Sequence, residues 1–382
     1  MKIMLYCQHI LGIGHFFRSM EIARALQGHE VMFVEGGDPL PGFTPPAHVT
    51  RFLLPPLMMD ADFKTMEVRH GSLEQIREAR TKLLMEAFRD FTPQVFMTEL
   101  FPFGRRQFRF ELMPILQMIR ENRMAVRVVC SLRDILVEKT NQAAYEKWVL
   151  DLLNGFYNLL LVHSDPRLIT LEETFTQVDK ISIPIHYTGF VTRPLPTVAK
   201  DPGRKVIVAS SGGGKVGVDL LASTILAVQS LPDRNLLLKV FIGPFMEEAD
   251  QEFLQQLAAP DLRTTLHPFS PDFLAELMAA ELSISMAGYN TCMDILNTGV
   301  KALVFPFPQN REQTLRAKKL ESLGLVGILG TLSSENLSET IDEALKEAWQ
   351  SSPELSLDLA GAERTAHFIT ARLAPSGKMR SF

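Results

Sequence analysis

Short β-rich apolar runs alternate with longer amphipathic stretches along most of the chain. The alternation predicts parallel sheets covered by helices on both faces, because a helix must return the chain between parallel neighbours. The fold class is therefore α/β. The runs that predict strands in the first half are Ile3–Cys7, Glu30–Val34, Val95–Thr98, Val126–Ser131 and Leu159–Val162.

A proline-bearing segment interrupts this pattern, which then starts afresh. Residues 192–197 and 200–203 contain three prolines, each of which fixes φ and removes a backbone donor. We therefore predict a domain over residues 1–193, a linker over 194–203 and a second domain over 204–354, with a last helix over 355–372 inside a terminal segment 355–382. In the second half, the predicted strands are Val206–Ala209, Leu236–Ile242, Leu282–Ser285 and Ala302–Phe305.

The amino-acid composition limits which binding partners and which cellular compartment are expected. The 382 residues carry a net charge of −5, so the basic excess typical of a nucleic-acid surface is missing and no nucleic-acid partner is expected. Three widely spaced cysteines indicate a reducing compartment. The first apolar run is too short for a signal peptide, and no run reaches the roughly 18 residues of a membrane span. A cytoplasmic protein is expected, with peripheral contact to the inner membrane surface left open.

The first glycine-bearing loop is Gly12-Ile13-Gly14-His15, between a predicted strand and a helix. Glycines allow close approach of a ligand, and a helix start offers free N–H groups. His15 would lie at the carboxyl edge of the sheet, where a neutral imidazole can act as a general base. The alternative is a glycine turn with a histidine that caps the helix. The dinucleotide fingerprint fails here, since its third glycine would fall on Phe17.

The second glycine loop runs from Ser211 through Gly212, Gly213 and Gly214 into a helix. Such a loop suits a phosphate or diphosphate. It is not a Walker A loop, because Lys215 is followed by Val216. The next strand ends without the acid that would bind an NAD ribose, which disfavours a dinucleotide. A flexible turn without a ligand is the alternative.

Two later strand ends offer groups for a nucleotide and a sugar. After Gly288, a helix is expected to begin at Asn290 or Thr291, with Asp294 on its exposed side, where a carboxylate can accept both ribose hydroxyls. The alternative is an acid that only stabilises the helix dipole. Further on, Glu312 and Gln313 could hydrogen-bond sugar hydroxyls, or could belong to an ordinary loop.

Glu99 and Arg105 follow a strand in the first half and are predicted at the acceptor side of the site. Arginines next to aromatic residues suit an apolar or phosphate-bearing acceptor, although a solvated basic face is the more usual explanation. Asp60-Ala61-Asp62 is a pattern that can hold a metal–diphosphate, but it follows two prolines in a loop, so no metal site is predicted.

Taken in order, these loops resemble those of GT-B glycosyltransferases, and the chain is similar to the lipid-linked N-acetylglucosaminyltransferases of peptidoglycan synthesis and their predicted bacterial relatives. The resemblance covers most of the chain, more firmly from Ser210 to Leu320. It implies a catalytic role for His15 after Gly14, and donor binding by these residues: Arg193 near the diphosphate, Ser211–Gly214 at the diphosphate, Phe269 and Ser270 at the base, Gly288, Asn290, Thr291 and Asp294 at the ribose, and Glu312 and Gln313 at the sugar. The family usually has glutamate where this chain has Asp294, and a glutamine pair where it has Glu312-Gln313.

The resemblance also implies an architecture and a reaction. Two Rossmann-like domains would face each other across a cleft, with the last helix crossing back to the first domain. A hexose-type sugar would pass from a nucleoside diphosphate, UDP by the resemblance, to a hydroxyl acceptor with inversion. Neither a metal nor a cofactor is expected beyond the nucleotide-sugar, which is a substrate. A lipid or a polysaccharide intermediate is the implied acceptor.

Three other functions compete with this interpretation. A sugar-nucleotide epimerase of the same architecture would need carboxylates near the sugar ring, and Glu99 or Glu312 could serve. A non-catalytic nucleotide-sugar binder, or half of a heteromeric transferase, is disfavoured by His15 and by the presence of both halves on one chain. An NAD oxidoreductase is disfavoured by the missing ribose acid.

Overall fold

The computed structural model describes residues 1–8, 14–37, 43–59, 66–67, 72–137, 139–198, 203–213, 216–268, 270, 272–346 and 356–373. Several residues singled out above lie outside this part of the chain: Gly12, Ile13, Asp60, Ala61, Asp62, Gly214, Lys215 and Phe269. The chain divides into two compact units. The first consists of Met1–Val191 together with Leu357–Phe382, and the second of Thr192–Ser356.

The first unit is built on a parallel sheet of seven strands. Its elements in chain order are β1 (Lys2–Cys7), α1 (Gly14–Ala25), β2 (Glu30–Glu35), β3 (Val49–Leu53), the short antiparallel pair β4 (Met58–Met59) and β5 (Met66–Glu67), α2 (Leu73–Phe91), β6 (Val95–Glu99), α3 (Arg109–Glu121), β7 (Arg127–Arg133), α4 (Gln142–Phe156), β8 (Leu159–His163) and β9 (Ile185–Tyr187). The strand order is β3-β2-β1-β6-β7-β8-β9.

Helices cover both faces of this sheet, which explains the continuous apolar runs of its central strands. Successive side chains of a strand point to opposite faces. On β1, Met4 and Tyr6 belong to the core on one face, whereas Ile3 and Leu5 belong to the core on the other.

The second unit repeats the plan with six parallel strands. Its elements are β10 (Lys205–Ser210), α5 (Val218–Ser230), β11 (Leu236–Phe241), α6 (Glu248–Ala258), β12 (Thr264–His267), α7 (Phe273–Ala279), β13 (Leu282–Met286), α8 (Tyr289–Thr298), β14 (Ala302–Phe305), α9 (Arg311–Ser322), β15 (Gly327–Ile328) and α10 (Ser334–Lys346). The strand order is β12-β11-β10-β13-β14-β15. The predicted α/β class with two parallel sheets is thereby confirmed.

In both sheets the strand order reverses beside the first strand. β1 lies between β2 and β6, and β10 lies between β11 and β13. At such a switch point the two neighbouring loops leave toward opposite faces of the sheet, and a crevice opens outside the carboxyl ends of the strands. The loops after β1 and β6, and those after β10 and β13, therefore flank the natural binding positions of the two units.

The last helix, α11 (Gly361–Leu373), begins later than the predicted residue 355. Residues 356–360 are not helical, and part of their backbone pairs with the end of the first segment of unit one. Phe190 N donates to Asp358 O at 2.7 Å, and Gly361 N donates to Phe190 O at 2.9 Å. The helix then packs on α1, where Ala362 and Ile369 join the core that contains Phe16. Within the described ranges, no helix is long and apolar enough to cross a membrane.

Candidate functional site

His15 and Glu99 meet at the switch point of the first sheet. Glu99 is the last residue of β6, and His15 lies in the first turn of α1, which follows β1. His15 Nδ1 is 2.6 Å from Glu99 Oε1. The Glu99 side chain is fully buried, while that of His15 is 19% exposed. The pair therefore combines a sheltered carboxylate with an imidazole that retains access to solvent.

The surroundings keep this imidazole neutral and the carboxylate ionised at neutral pH. Burial lowers the pKa of His15 to about 3, with help from Arg105 and Arg18 and against the opposing effect of Glu99. Burial alone would raise the pKa of Glu99, but His15, Arg18 and Arg105 lower it to about 2. A carboxylate can only accept, so Nδ1–H donates to Glu99 and Nε2 is left as the proton acceptor.

Arg18 is a further member of this group that the sequence reasoning missed. Its Nη2 donates to Glu99 Oε1, and its side chain is almost fully buried. Arg18 lies three residues after His15 on α1, so both side chains occupy one helix face. That spacing is the signal that could have revealed it.

In the second unit, the glycine loop after β10 is held by serine hydroxyls. Gly212 N donates to Ser210 Oγ at 3.0 Å, and Gly243 N donates to Ser211 Oγ at 3.0 Å. Gly212 has φ +73°, and Gly217, which precedes α5, has φ +116°. These left-handed conformations are available to glycine at little cost, which explains the glycines at this turn.

The N-terminus of α8 approaches that loop. A Cβ placed on Gly212 would be 3.6 Å from Thr291 Oγ1. α8 begins at Tyr289, earlier than the predicted Asn290 or Thr291, and its N-cap residue Gly288 offers no side-chain cap. The Thr291 side chain therefore lies beside the glycine loop, and the first N–H groups of α8 have no side-chain acceptor from the cap residue, which is an arrangement that favours an anion.

Asp294 is not on an exposed side of the helix, as had been predicted, but is buried. Arg193 reaches it from the start of the second unit: Nη2 donates to Asp294 Oδ2 at 2.7 Å, with the two side chains 25% and 10% exposed. Asn297 Nδ2 also donates to Arg193 O at 2.7 Å, which fixes the arginine's backbone. Burial raises the pKa of Asp294 despite the opposing effect of Arg193.

Glu312 and Gln313, the residues predicted to bind the sugar, follow β14 and form hydrogen bonds with nearby residues. Glu312 Oε1 accepts from the buried Arg316 at 3.0 Å. Gln313 Oε1 accepts from Phe307 N at 3.0 Å, which leaves its amide N–H groups for a ligand. Ser270 follows β12, where its hydroxyl accepts from Asp272 N at 3.1 Å.

The structure thus gathers the predicted residues at two sheet edges. In the first unit, Gly14, His15, Glu99 and Arg105 follow β1 and β6. In the second, Ser211, Gly212, Gly213, Gly288, Asn290, Thr291 and Asp294 follow β10 and β13, joined by Arg193. Among the residues described, no three His, Cys, Asp or Glu side chains form a group that could hold a metal ion.

The family comparison agrees with this arrangement. Residues 212–362 match the model described as the Glycosyltransferase family 28 C-terminal domain. This match lies within the second half of the chain. The matched range contains the glycine loop from Gly212 onward, α8 with Asp294, and the Glu312-Gln313 pair.

One curated relative extends the likeness. It is the UDP-N-acetylglucosamine--N-acetylmuramyl-(pentapeptide) pyrophosphoryl-undecaprenol N-acetylglucosamine transferase of Hahella chejuensis, 27% identical over 176 residues. The match covers 45% of this chain and 47% of the relative, so it spans about half the length of that protein.

Solved structures match over nearly the full length. The calicheamicin glycosyltransferase CalG4 has 17% identity and a TM-score of 0.61, with 98% of this chain and 99% of that chain covered. Acinetobacter baumannii MurG has 16% identity and a TM-score of 0.57, with 97% and 100% covered. The spinosyn rhamnosyltransferase SpnG in complex with thymidine diphosphate has 16% identity and a TM-score of 0.59, with 97% and 96% covered. The solved structures confirm the predicted fold. The family match over residues 212–362 agrees with the predicted resemblance to GT-B glycosyltransferases.

Proposed function

We propose that the chain is an inverting glycosyltransferase that moves a hexose-type sugar from UDP to a hydroxyl acceptor without a metal ion. The observation that carries this proposal is the convergence in the glycosyltransferase domain. The glycine loop, the uncapped start of α8 and the Arg193–Asp294 pair meet at the switch point of one sheet. Together they offer anion-binding N–H groups, a cation and a carboxylate, the groups that a nucleoside diphosphate needs.

In the proposed reaction, an acceptor oxygen attacks the anomeric carbon of the donor sugar. The bond between that carbon and the diphosphate oxygen breaks, and the nucleoside diphosphate leaves. His15 Nε2 takes the proton of the attacking hydroxyl, while Glu99 stabilises the imidazolium that forms. The N-termini of α5 and α8 and the guanidinium of Arg193 stabilise the negative charge on the leaving diphosphate.

Arg193 has two anionic partners in this scheme. In the structure it is bound to Asp294, which the proposal assigns to the ribose hydroxyls. A nucleotide would insert between them: the ribose hydroxyls donate to Asp294, and the diphosphate accepts from Arg193. The existing ion pair keeps both side chains oriented toward the same position before the ligand arrives.

The donor and the acceptor are inferred from relatives. The Hahella enzyme is named for a UDP-sugar and a pyrophosphoryl-undecaprenol acceptor, while SpnG was solved with thymidine diphosphate. We infer UDP because the relative that matches in sequence uses it. We extend a lipid-linked acceptor to this chain from that relative's name. A polysaccharide intermediate as acceptor, and a cytoplasmic site of action at the membrane surface, are proposed from the resemblance of the sequence. Thermal shifts with UDP-, GDP- and dTDP-sugars test the donor, and stabilisation by a non-UDP sugar alone would reject UDP.

Replacing Asp294 tests the ribose assignment. In Asp294→Asn the carboxylate that accepts from the ribose is lost, and we expect UDP affinity to fall about 10- to 100-fold, as for loss of a hydrogen bond to a charged group. Asp342→Asn, on α10 of the same unit and with a side chain that is 45% exposed, is the matched control. Calorimetric titration with UDP gives the result. Equal affinity of the Asp294 variant and the wild type would refute the assignment.

Incubation with the donor in the absence of an acceptor separates a transferase from the epimerase of similar architecture. Incubation with UDP-N-acetylglucosamine alone leaves the sugar unchanged if the chain is a transferase, since no acceptor is present. Glu312, one of the carboxylates an epimerase could use, is already paired with Arg316. Conversion of the sugar without an acceptor would identify the chain as an epimerase.

A further inference from the structure

One oxygen of the Glu99 carboxylate lies against two side chains of the same helix. His15 Nδ1 is 2.6 Å from Glu99 Oε1, and Arg18 Nη2 donates to that same oxygen. Arg18 Nη2 also lies 3.4 Å from His15 Nδ1, so the three groups form one compact cluster. The Arg18 side chain is only 2% exposed. Arg18 is therefore a buried neighbour of the proposed base and not a group that a substrate can contact.

The orientation of the Glu99 carboxylate depends on these contacts. The terminal torsion of a glutamate side chain is broad, so it does not by itself direct Oε1 toward His15. Glu99 Oε2 is buried and has no hydrogen-bond partner among the residues that the structure describes. The carboxylate is therefore held through Oε1. Because Arg18 lies three residues after His15 on α1, it fixes the carboxylate relative to the helix that carries the imidazole.

The charge of the cluster gives Arg18 a second effect. A buried carboxylate is costly unless a cation balances it, and a neutral imidazole cannot supply that charge. An arginine side chain stays protonated at every pH of interest. With Arg18 present, the cluster has no net charge while His15 is unprotonated. Without Arg18, the cluster would hold one unbalanced negative charge and would take up a proton from solvent more readily.

The other titratable groups near the cluster do not take over this role. Burial raises the pKa of Glu99, and His15 opposes it most strongly, followed by Arg18 and then by Arg105. The remaining neighbours are neutral at pH 7, because burial raises the pKa of two thiols and lowers that of one imidazole: Cys7 on β1, Cys130 on β7 and His163 on β8. Of the two arginines that act on Glu99, Arg18 thus has the larger effect.

We propose that Arg18 is a positioning residue for the base: it anchors Glu99 Oε1 and balances its charge, so that His15 stays neutral with its proton on Nδ1. The inference rests on the proposed function and deepens it, because a general base needs the unprotonated Nε2 that this arrangement provides. When Nε2 has taken the proton of the acceptor hydroxyl, the nearby guanidinium disfavours the imidazolium. The proton then passes to solvent, and the neutral base is restored.

NMR of the histidine ring nitrogens tests the proposal on the full chain without a ligand. Protein labelled with nitrogen-15 in its histidines is titrated from about pH 8 to 4, and the His15 signals are those missing from His15→Gln. We expect wild-type His15 at pH 7 to be neutral, with its proton on Nδ1. In Arg18→Gln, the midpoint of proton uptake should rise by about 1–3 pH units, the usual effect of losing a neighbouring charge.

The ring signals also show where the added proton resides. If it resides on His15, both ring nitrogens are protonated. If it resides on Glu99, the carboxyl donates to Nδ1 and the imidazole proton moves to Nε2. Either change at the raised midpoint supports the proposal, because each one removes the neutral form that carries its proton on Nδ1.

The matched control is Arg24→Gln, because Arg24 lies on the same helix and pairs with a glutamate, Glu21, at 3.1 Å. Its His15 signals should match those of the wild type. Arg18→Lys keeps the charge and should leave the midpoint near the wild-type value. Thermal unfolding shows which variants are folded, and Arg18→Met, which has a similarly long side chain, replaces Arg18→Gln if that variant does not fold.

Two results would overturn the role of Arg18. One is a midpoint in Arg18→Gln, or in Arg18→Met, that equals the midpoint in Arg24→Gln. The other is a wild-type His15 that carries its proton on Nε2 at pH 7. Failure of the proposed function would look different, since the titration needs neither donor nor acceptor. A raised midpoint in Arg18→Gln combined with unchanged turnover in His15→Ala would refute the base assignment and still support the control of His15 protonation by Arg18.

Discussion

His15 is the residue on which the proposed chemistry depends most directly. Because its Nε2 is the assigned proton acceptor, His15→Ala should lower turnover about 10²- to 10⁴-fold, the usual contribution of a general base. UDP affinity should be unchanged, since the residues proposed to bind the nucleotide lie in the other unit. Steady-state rates and UDP calorimetry measure the two effects, with His367→Ala on the exposed face of α11 as the control. Turnover near the wild-type value would remove His15 from the base role.

At the residue scale, sequence reasoning located the groups but not their pairings. His15 and Glu99 were each predicted at a strand end, yet 84 residues separate them, and only the strand order β1-β6 makes them neighbours. Asp294 was wrongly predicted to be exposed. Two features that the sequence does not reveal accompany this difference. α8 begins one residue earlier than predicted. Arg193, which is 101 residues away in the sequence, donates a hydrogen bond to the carboxylate.

At the scale of elements, the central strands were predictable because they are buried on both faces and read as apolar runs. The strands of the two parallel sheets that were not predicted, β3, β9, β12 and β15, are the edge strands of those sheets. β12, for example, reads Thr-Thr-Leu-His and is only partly buried. An edge strand has one side open to solvent, so its sequence lacks the continuous apolar signal that identifies a central strand.

The turn between β10 and α5 supplies a prediction at this scale. A Cβ on Gly217 would lie 2.8 Å from Ser211 Cβ, and its φ of +116° is strained for any other residue. Gly217→Ala should therefore reduce the free energy of unfolding by about 1–3 kcal/mol and weaken UDP binding as the loop shifts. Gly155→Ala in α4, where the nearest atom is 3.9 Å away, should instead stabilise by about 0.5–1 kcal/mol. Urea unfolding of both variants measures these changes in the free energy of unfolding. A Gly217→Ala variant that is as stable as the wild type, or more stable, would contradict the proposed strain at Gly217.

At the scale of the whole molecule, buried histidines make stability depend on pH. His163 is fully buried between the hydroxyls of Ser131 and Thr188, and burial lowers its pKa to about 3, as it does for His15. An unfolded histidine titrates near 6.5. Below that pH the unfolded chain takes up protons that the folded chain cannot. The free energy of unfolding should therefore fall as pH drops from about 6.5 toward 3, by up to about 1.4 kcal/mol per pH unit for each histidine.

Urea unfolding between pH 7 and 5 checks this dependence. The sequence has two tryptophans, so a Trp349→Phe background leaves Trp148 to report on the first unit. His163→Gln removes one titrating group and should flatten the slope, whereas the exposed His367→Gln should not. A slope that is the same in both variants would show that His163 does not drive the effect.

The return of α11 to the first unit has a consequence for how the protein is made. Ribosomes deliver a chain from its N-terminus, and domains generally fold as they emerge. Here, residues 357–373 complete a core that residues 1–191 begin, and Thr192–Ser356 are synthesised in between. The unit that is synthesised first is therefore completed last. Its nascent form keeps the α1 surface uncovered until translation of the second unit has ended.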